Sequence, residues 1–336
     1  MSIGQHETHE RGSQGHPDLI QADASARWAL VSDAGVAALA EALRGVTLVA
    51  SPSTWSDDRF WLASAGDVDR RQFIAVGNAL NFRFWSHSAD GVHSMSGVLA
   101  GERFVGSMYM WRRMRMLVER DEYPILSAQH LTRITIDGFR ELFSDDFGDN
   151  PLREGISDRV CNLVDLGEKL TRHWGGEFSN LVQASRGSLD SFFAHSARFR
   201  AYDDPLGKLT SVNAIMLSGA GLASFDSEIP PATDYHIVKQ LLRFGAVDVD
   251  PITYEDLVQS KLLAPAVAMT IRKVCLVAIV EACKLGKLSG ALVDNILWQN
   301  RRVCLEPVPN CGECGLSSAC GRRVEMQRPL ETTRYY

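Results

Sequence analysis

Apolar residues recur every three or four positions along most of this chain, the spacing of the buried face of an amphipathic helix. Seven stretches follow this pattern: residues 31–44, 105–121, 156–174, 209–217, 235–244, 267–283 and 289–303. Several are followed by glycine, a common stop signal for helices. Two other stretches, 74–84 and 91–105, look extended, and in the second serine and glycine are interleaved with apolar residues. The sequence therefore predicts a mainly α fold with a few short strands.

The same pattern divides the chain into four parts. Residues 1–18 are rich in His, Gly, Gln, Ser and Glu and contain no apolar run, which predicts a disordered N-terminal segment and no signal peptide. Residues 19–303 contain the predicted helices and form one helical domain or two lobes, because neither an internal repeat nor a Pro- or Ser-rich linker divides them. A cysteine-rich loop, 304–320, and a C-terminal tail, 321–336, complete the chain.

Composition narrows the function classes. The chain has 336 residues, of which 45% are hydrophobic and 23% charged, and a net charge of −6. An acidic balance disfavours a duplex-DNA footprint, which needs a basic surface. The basic cluster Arg112, Arg113 and Arg115 fits the solvated face of a helix. The most apolar stretch, 262–282, is interrupted by Arg272 and Lys273, so we expect no membrane span.

Four cysteines near the C-terminus are the strongest chemical signal. Cys304, Cys311, Cys314 and Cys320 are spaced C-x6-C-x2-C-x5-C. Cysteine-only ligation suits zinc or an iron–sulfur cluster, and structural zinc sites usually pair two C-x2-C knuckles, whereas one is present here. Chance clustering of free thiols is the remaining alternative. The spacing resembles the [4Fe-4S] loop of the endonuclease III and adenine-glycosylase branch of the helix-hairpin-helix DNA glycosylases, which implies a [4Fe-4S] cluster.

The other three cysteines, Cys161, Cys275 and Cys283, lie in apolar helical patterns, where a free buried thiol is the usual state. Unpaired thiols beside a metal loop are typical of a reducing compartment. We therefore expect a cytoplasmic protein.

Asp234 is the leading catalytic candidate. Thr233 is well placed as the N-cap of the helix over 235–244, which puts Asp234 in the first turn. There a carboxylate faces free backbone N–H groups and the positive end of the helix dipole. Such a carboxylate can stabilise a sugar cation and orient water during hydrolysis of an N-glycosidic bond. The alternative is that Asp234 only caps its helix.

Several separate motifs carry a resemblance to a known family. They are Leu80 to Ser86 (LNFRFWS), Trp174 to Phe178 (WGGEF), Ala232 to Ile237 (ATDYHI) with Arg243-Phe244-Gly245, Ile271-Arg272 with Cys275, Leu297-Trp298 and the terminal Arg334-Tyr335-Tyr336. In this order they resemble the queuosine salvage proteins, the queuosine 5′-phosphate N-glycosidase family, from about Phe60 to the end. That family shares ancestry with the helix-hairpin-helix glycosylases, whose catalytic Asp segment the ATDYHI passage also resembles.

The resemblance implies a mostly helical monomer that hydrolyses queuosine 5′-phosphate and releases the 7-deazaguanine base queuine. It makes Asp234 the catalytic carboxylate. It implies a base pocket walled by Phe82, Phe84 and Trp85, with Asn81 offering a donor and an acceptor. It also suggests that the tail folds back so that Arg334 meets a 5′-phosphate. The further substrate contacts on this basis are Asn78, Tyr235, His236 and Tyr336.

The chain departs from the family pattern at two places. Asn78 stands where the family commonly has an acid, and residues 218–221 contain no second carboxylate. These departures favour a non-catalytic binder of a modified base as one alternative. The cysteine loop favours another, a DNA base-excision glycosylase. Since no glycine-rich hairpin surrounds Lys208, we expect that lysine to be a surface residue and the enzyme to be monofunctional.

Overall fold

The computed structural model describes residues 28–46, 57, 59–88, 90–120 and 124–335. The predicted disordered segment 1–18 and the candidate contact Tyr336 lie outside these residues. Within them the chain forms thirteen helices and six short strands, so the expected mainly α fold is confirmed. The helices are α1 Asp33–Gly45, α2 Asp67–Ala79, α3 Ser107–Arg120, α4 Ala128–Leu131, α5 Ile136–Leu142, α6 Ile156–His173, α7 Phe178–Ala184, α8 Leu189–Ser196, α9 Lys208–Gly219, α10 Tyr235–Phe244, α11 Pro251–Val258, α12 Pro265–Gly286 and α13 Gly290–Asn300.

The strands form three two-stranded antiparallel sheets. They are β1 Ala29–Val31, β2 Trp85–Ser88, β3 Gly91–Ser94, β4 Ser96–Leu99, β5 Glu102–Val105 and β6 Val247–Val249. β2 pairs with β3 and β4 with β5, which confirms the extended prediction for 91–105. β1 pairs with β6, more than two hundred residues away, with Ala29 opposite Val249. The start of the described chain is thereby tied to its C-terminal half.

One helix lies where the sequence predicts extended structure. The prediction for 74–84 is wrong over its first half, because residues 67–79 form α2. The residues from Gln72 to Ala79 are all buried, on every face of the helix. A segment buried all round shows no polar stripe, so its sequence has no 3.6-residue period to distinguish it from a buried strand. All seven helical predictions are confirmed, with boundaries that differ by a few residues.

The buried side chains form two large clusters. The first is built from residues between Trp61 and Ala232, including α2, α3, α6 and α9. The second combines β1 and α1 with residues from Ile237 to Met326. The boundary between the two clusters falls in the segment just before α10, which carries Asp234. The segment that connects the clusters is thus also the one that bears the leading catalytic candidate.

A buried ion pair joins the two clusters. Arg272 of α12 donates to Asp204 Oδ2 at 3.0 Å, and both side chains are fully buried. Asp204 also accepts the backbone N–H groups of Leu206 and Lys208 at 3.1 and 2.9 Å. These bonds satisfy the buried carboxylate and fix the start of α9 against α12.

In the described part of the chain, none of the helices has the length and apolar character needed to cross a membrane.

Candidate functional site

A cavity of about 1020 Å³ opens between elements of the two clusters. One part of its wall comes from the 81–84 segment, β5, α3 and α9. Another part comes from residues 232–236 and α13. Its aromatic side chains are Phe60, Trp61, Phe82, Phe84, Phe104, Trp111, Tyr235 and Trp298. Its charged side chains are Asp57, Arg59, Glu102, Arg103, Lys208, Asp234, Asp294, Arg301, Arg302 and Arg328.

Asp234 is the N-cap of α10, one position earlier in the helix than the sequence suggested. Its backbone is extended, and Oδ1 accepts the N–H groups of His236 and Ile237 at 2.8 and 2.9 Å. The expectation that Thr233 caps this helix is wrong, because Thr233 is buried and the capping bonds are made by the next residue. The cap fixes the Asp234 side chain at the cavity wall, where it is partly exposed.

Asp294 is a second carboxylate in the same cavity, and sequence reasoning missed it. It lies in the middle of α13, and its Oδ1 accepts the N–H of Ala232 at 2.8 Å. Burial, followed by the negative charge of Asp234, raises the pKa of Asp294 to about 7. Residues 218–221 contain no carboxylate, whereas α13, far along the chain, places one in the cavity. One indication of this acid was present in the sequence. An exposed helical carboxylate often has a cation three or four residues away, whereas those neighbours of Asp294 are Gly290, Ala291, Leu297 and Trp298.

Lys208 also faces this cavity, so the expectation of a surface lysine is wrong. Its side chain is buried, and Nζ donates to the backbone carbonyl of Asn81 at 3.1 Å. Burial lowers the pKa of Lys208 to about 8, and the nearby charge of Asp234 partly offsets that effect. Lys208 is the first residue of α9, whose start is oriented by Asp204.

The aromatic part of the wall contains two of the three predicted base contacts. Phe82 and Phe84 line the cavity, and the buried guanidinium of Arg159 lies 4.4 and 5.5 Å from their ring centroids. Arg159 also donates to the carbonyl of Phe82, which fixes the segment from behind. Trp85 is not part of the lining. It packs instead with Tyr235 and Leu330 in a small separate cluster.

Asn81 lines the cavity, whereas Asn78 lies behind it. Asn78 is fully buried in α2, and its Nδ2 donates to Asn213 Oδ1 at 2.8 Å. Its Oδ1 accepts from Asn81 Nδ2 at 3.0 Å. The structure thus places Asn78 as a support for Asn81 rather than as part of the cavity surface.

Tyr235 and His236 both line the cavity. Burial raises the pKa of Tyr235 to about 12, and the guanidinium of Arg328 lies 5.3 Å from its ring centroid. Burial, followed by the positive charge of Lys239, lowers the pKa of His236 well below its ordinary value. His236 is therefore a neutral imidazole at neutral pH and does not supply an imidazolium acid.

The positive charge at the cavity comes from residues other than the predicted one. Arg301 lies 3.3 Å from the ring centroid of Trp298, and burial lowers its pKa to about 10. Arg302, Arg328, Arg59 and Arg103 also line the cavity, and Arg59 is paired with Asp57 and Glu102. Arg334, by contrast, is not in the lining and donates to the carbonyl of Arg200 at 2.9 Å.

The four cysteines line a second, much smaller cavity of about 30 Å³. All four are free and partly exposed. Arg243 is buried beside them, where Nη1 donates to Cys304 Sγ at 3.5 Å and the backbone carbonyl accepts from Cys320 Sγ at 3.6 Å. Among the described residues, no group of three or more His, Cys, Asp or Glu side chains is arranged as a metal site. Thiolates are the donors that bind zinc and iron–sulfur clusters, and the four cysteines share one cavity, so their chemistry fits such a group.

Comparison with known proteins supports one part of the expected family relationship. Residues 63–207 match the model of the family described as queuosine salvage protein. No curated protein matches the chain. The matched segment includes the aromatic wall at 81–84 and ends one residue before Lys208, so Asp234 and Asp294 lie outside it. The match over 63–207 points to a role for this chain in queuosine salvage.

Proposed function

We propose that the protein hydrolyses the N-glycosidic bond of a queuosine-type nucleotide, queuosine 5′-phosphate, and releases the 7-deazaguanine base. The observation that carries this proposal is the convergence of Asp234 and Asp294 on a cavity that also has an aromatic wall. A pair of carboxyl groups is the usual catalytic equipment for glycoside hydrolysis. The family match over residues 63–207 supplies the substrate class.

In this proposal the flat base stacks against Phe82 and Phe84, because aromatic faces bind nucleobases through their π surfaces. Asn81 offers both a donor and an acceptor to the base edge or the ribose. The carboxylate of Asp234 then lies beside the anomeric carbon, where it stabilises the positive charge that develops on the sugar. The two helix N–H donors on Asp234 Oδ1 hold this carboxylate in place during the reaction.

The basic part of the cavity favours a nucleotide over a free nucleoside. Arg301 and Arg302 carry fixed positive charge into the lining, and a phosphate is the anionic group of a nucleotide. This assigns to Arg301 and Arg302 the role that the sequence resemblance gave to Arg334. The cavity volume of about 1020 Å³ accommodates base, ribose and phosphate together.

The test is a comparison of wild type with Asp234→Asn. Asparagine caps helices as well as aspartate does, so this change removes the negative charge and preserves the start of α10. We expect release of queuine from queuosine 5′-phosphate to fall about a hundredfold to a thousandfold or more. Asp250→Asn is the matched control, because Asp250 caps α11 with the same pair of bonds outside the cavity.

Base release can be followed by chromatography with mass detection. Wild-type activity in Asp234→Asn refutes the role of Asp234. Tight binding of the nucleotide by wild-type protein without turnover refutes the hydrolase and supports a binding protein instead. Steeply salt-dependent binding of duplex DNA with excision of a base supports the DNA glycosylase alternative.

We also propose that Cys304, Cys311, Cys314 and Cys320 hold a [4Fe-4S] cluster, with zinc as the alternative. Bonds from four thiolates to one metal group stabilise a loop that has little apolar core of its own. The loop lies between Arg302, at the cavity, and Arg328, which also lines it. A bound metal group would restrain the segment of chain between these two arginines.

Metal content decides this second proposal. Iron, acid-labile sulfide and zinc are measured on protein purified without oxygen, in wild type and in the double variant Cys311→Ser, Cys314→Ser. We expect bound iron and sulfide in wild type and their loss in the variant. Cys161→Ser is the control that keeps the metal, because the Cys161 thiol on α6 is exposed rather than buried as the sequence predicted. Wild-type protein that contains neither iron nor zinc refutes the proposal.

A further inference from the structure

We infer that Asp294 is the proton-transfer group of this site, which protonates the leaving base and then accepts a proton from the attacking water. The inference rests on the proposed function and deepens it. It concerns a residue outside the segment matched by the family model and outside every motif that carried the resemblance.

The position of Asp294 is fixed by the same short segment that carries Asp234. Asp294 Oδ1 accepts the backbone N–H of Ala232, which lies two residues before Asp234. This bond ties the middle of α13 to the start of α10, so both carboxylates belong to one rigid unit. Asp294 is partly exposed to the cavity, and no described group hydrogen-bonds to its Oδ2. That oxygen is available for proton transfer to a ligand.

The surroundings of Asp294 differ from those of Asp234. The charged and titratable groups that face it are Asp234 at the start of α10, Lys208 at the start of α9, and the thiol of Cys283 on α12. Burial and Asp234 favour the protonated form, whereas Lys208 and the Ala232 N–H favour the carboxylate, and the resulting pKa is about 7. A carboxyl group with a pKa near the working pH is suited to both giving and taking a proton.

The two carboxyl groups therefore have different roles in the reaction, as paired acids in different environments do. In the first step the bond between the anomeric carbon and the base nitrogen breaks, and its electron pair goes to the base. The carboxyl group of Asp294 donates its proton to the base as this happens, while Asp234 stabilises the sugar cation.

In the second step a water oxygen bonds to the anomeric carbon. The carboxylate of Asp294 takes the proton that this water loses. The acid is thereby regenerated, and one water is consumed for each base released.

The test is the pH dependence of kcat/KM in wild type and in Asp294→Asn. Asparagine keeps an oxygen that accepts the Ala232 N–H, but it carries no proton to transfer. In wild type, kcat/KM for queuosine 5′-phosphate should fall as the pH rises through about 7, because the acid form is lost. In Asp294→Asn it should be about 10²- to 10⁴-fold lower, and this alkaline decline should be absent. Asp137→Asn, which removes an exposed carboxylate on α5, should leave rate and profile unchanged.

A second variant distinguishes loss of the acid from loss of folding. Asp294→Glu keeps a titratable carboxyl group one methylene further along, so it should retain part of the activity together with the alkaline decline. Circular dichroism and binding of the nucleotide identify a misfolded variant. Full activity in Asp294→Asn, or the same alkaline decline in that variant, overturns the inference while the proposed function stands. Absence of base release by wild type overturns the proposed function itself.

Discussion

The Asp294→Asn variant should become more stable relative to wild type as the pH rises, and this effect does not depend on any substrate. In the folded protein the pKa of Asp294 is about 7, against an ordinary value of 3.8. The folded state therefore holds this proton more tightly than the unfolded state does. Between pH 3.8 and 7 the unfolded chain releases the proton first, so the stability of wild type falls over that interval. Asparagine does not titrate, so the stability of the Asp294→Asn variant does not fall for this reason.

The size of the effect follows from the two pKa values. One pH unit of difference between the folded and unfolded states corresponds to about 1.4 kcal/mol. The penalty that wild type carries is then roughly 1.7 kcal/mol at pH 5 and about 4 kcal/mol above pH 8. The amide that replaces the carboxyl group adds an offset that is independent of pH, because its N–H donors need partners too. The informative quantity is therefore the change in the stability difference between pH 5 and 8, about 2.5 kcal/mol.

The assay is urea unfolding of wild type and Asp294→Asn at several pH values from 5 to 8.5. Tryptophan fluorescence and circular dichroism must give coincident transitions for free energies to be compared. The free energy of unfolding of Asp294→Asn minus that of wild type should rise with pH and level off above about 7. A difference that is constant over this range refutes the raised pKa of Asp294 and, with it, the physical support for its role as an acid.

Two further substitutions test the packing that holds the site. Arg272→Met removes the partner of the fully buried Asp204 and should lower the free energy of unfolding by about 3–5 kcal/mol, as measured by urea unfolding at pH 7. Gly77→Ala should destabilise by about 1–3 kcal/mol and weaken nucleotide binding in calorimetry, because its new Cβ would lie 2.0 Å from the ring of Trp111, which lines the cavity.

Matched variants control for these two effects. Lys273→Met replaces the cation next to Arg272 on the same helix and should change stability by less than about 1 kcal/mol. Gly45→Ala places a methyl group where nothing lies within 4 Å and should be neutral or slightly stabilising. Equal effects of Arg272→Met and Lys273→Met contradict the importance of the buried pair. Equal effects of the two glycine changes contradict the close contact with Trp111.

Much of the secondary structure could be predicted from the sequence, since the apolar positions of an amphipathic helix recur with a 3.6-residue period. Helices α1, α3, α6, α10, α12 and α13 were predicted close to their observed limits for this reason. The candidate Asp234 could also be predicted, because a polar residue before an apolar run indicates the start of a helix. Phe82 and Phe84 could be predicted as well, because both belong to the short motif LNFRFWS. What these features share is that their evidence lies within a few residues of each other.

Contacts between distant residues depend on how the helices pack. Asp294 lies 60 residues after Asp234 in a helix whose other residues are uncharged, and its raised pKa comes from burial and from the charge of Asp234. Lys208 looks like any exposed lysine until Asp204 and Arg272 turn the start of α9 toward the cavity. Asn78 and Trp85 have the residue types of a binding site, yet packing places them outside the cavity lining. Local sequence specifies periods, caps and turns, whereas burial and electrostatic environment are properties of the whole packed chain.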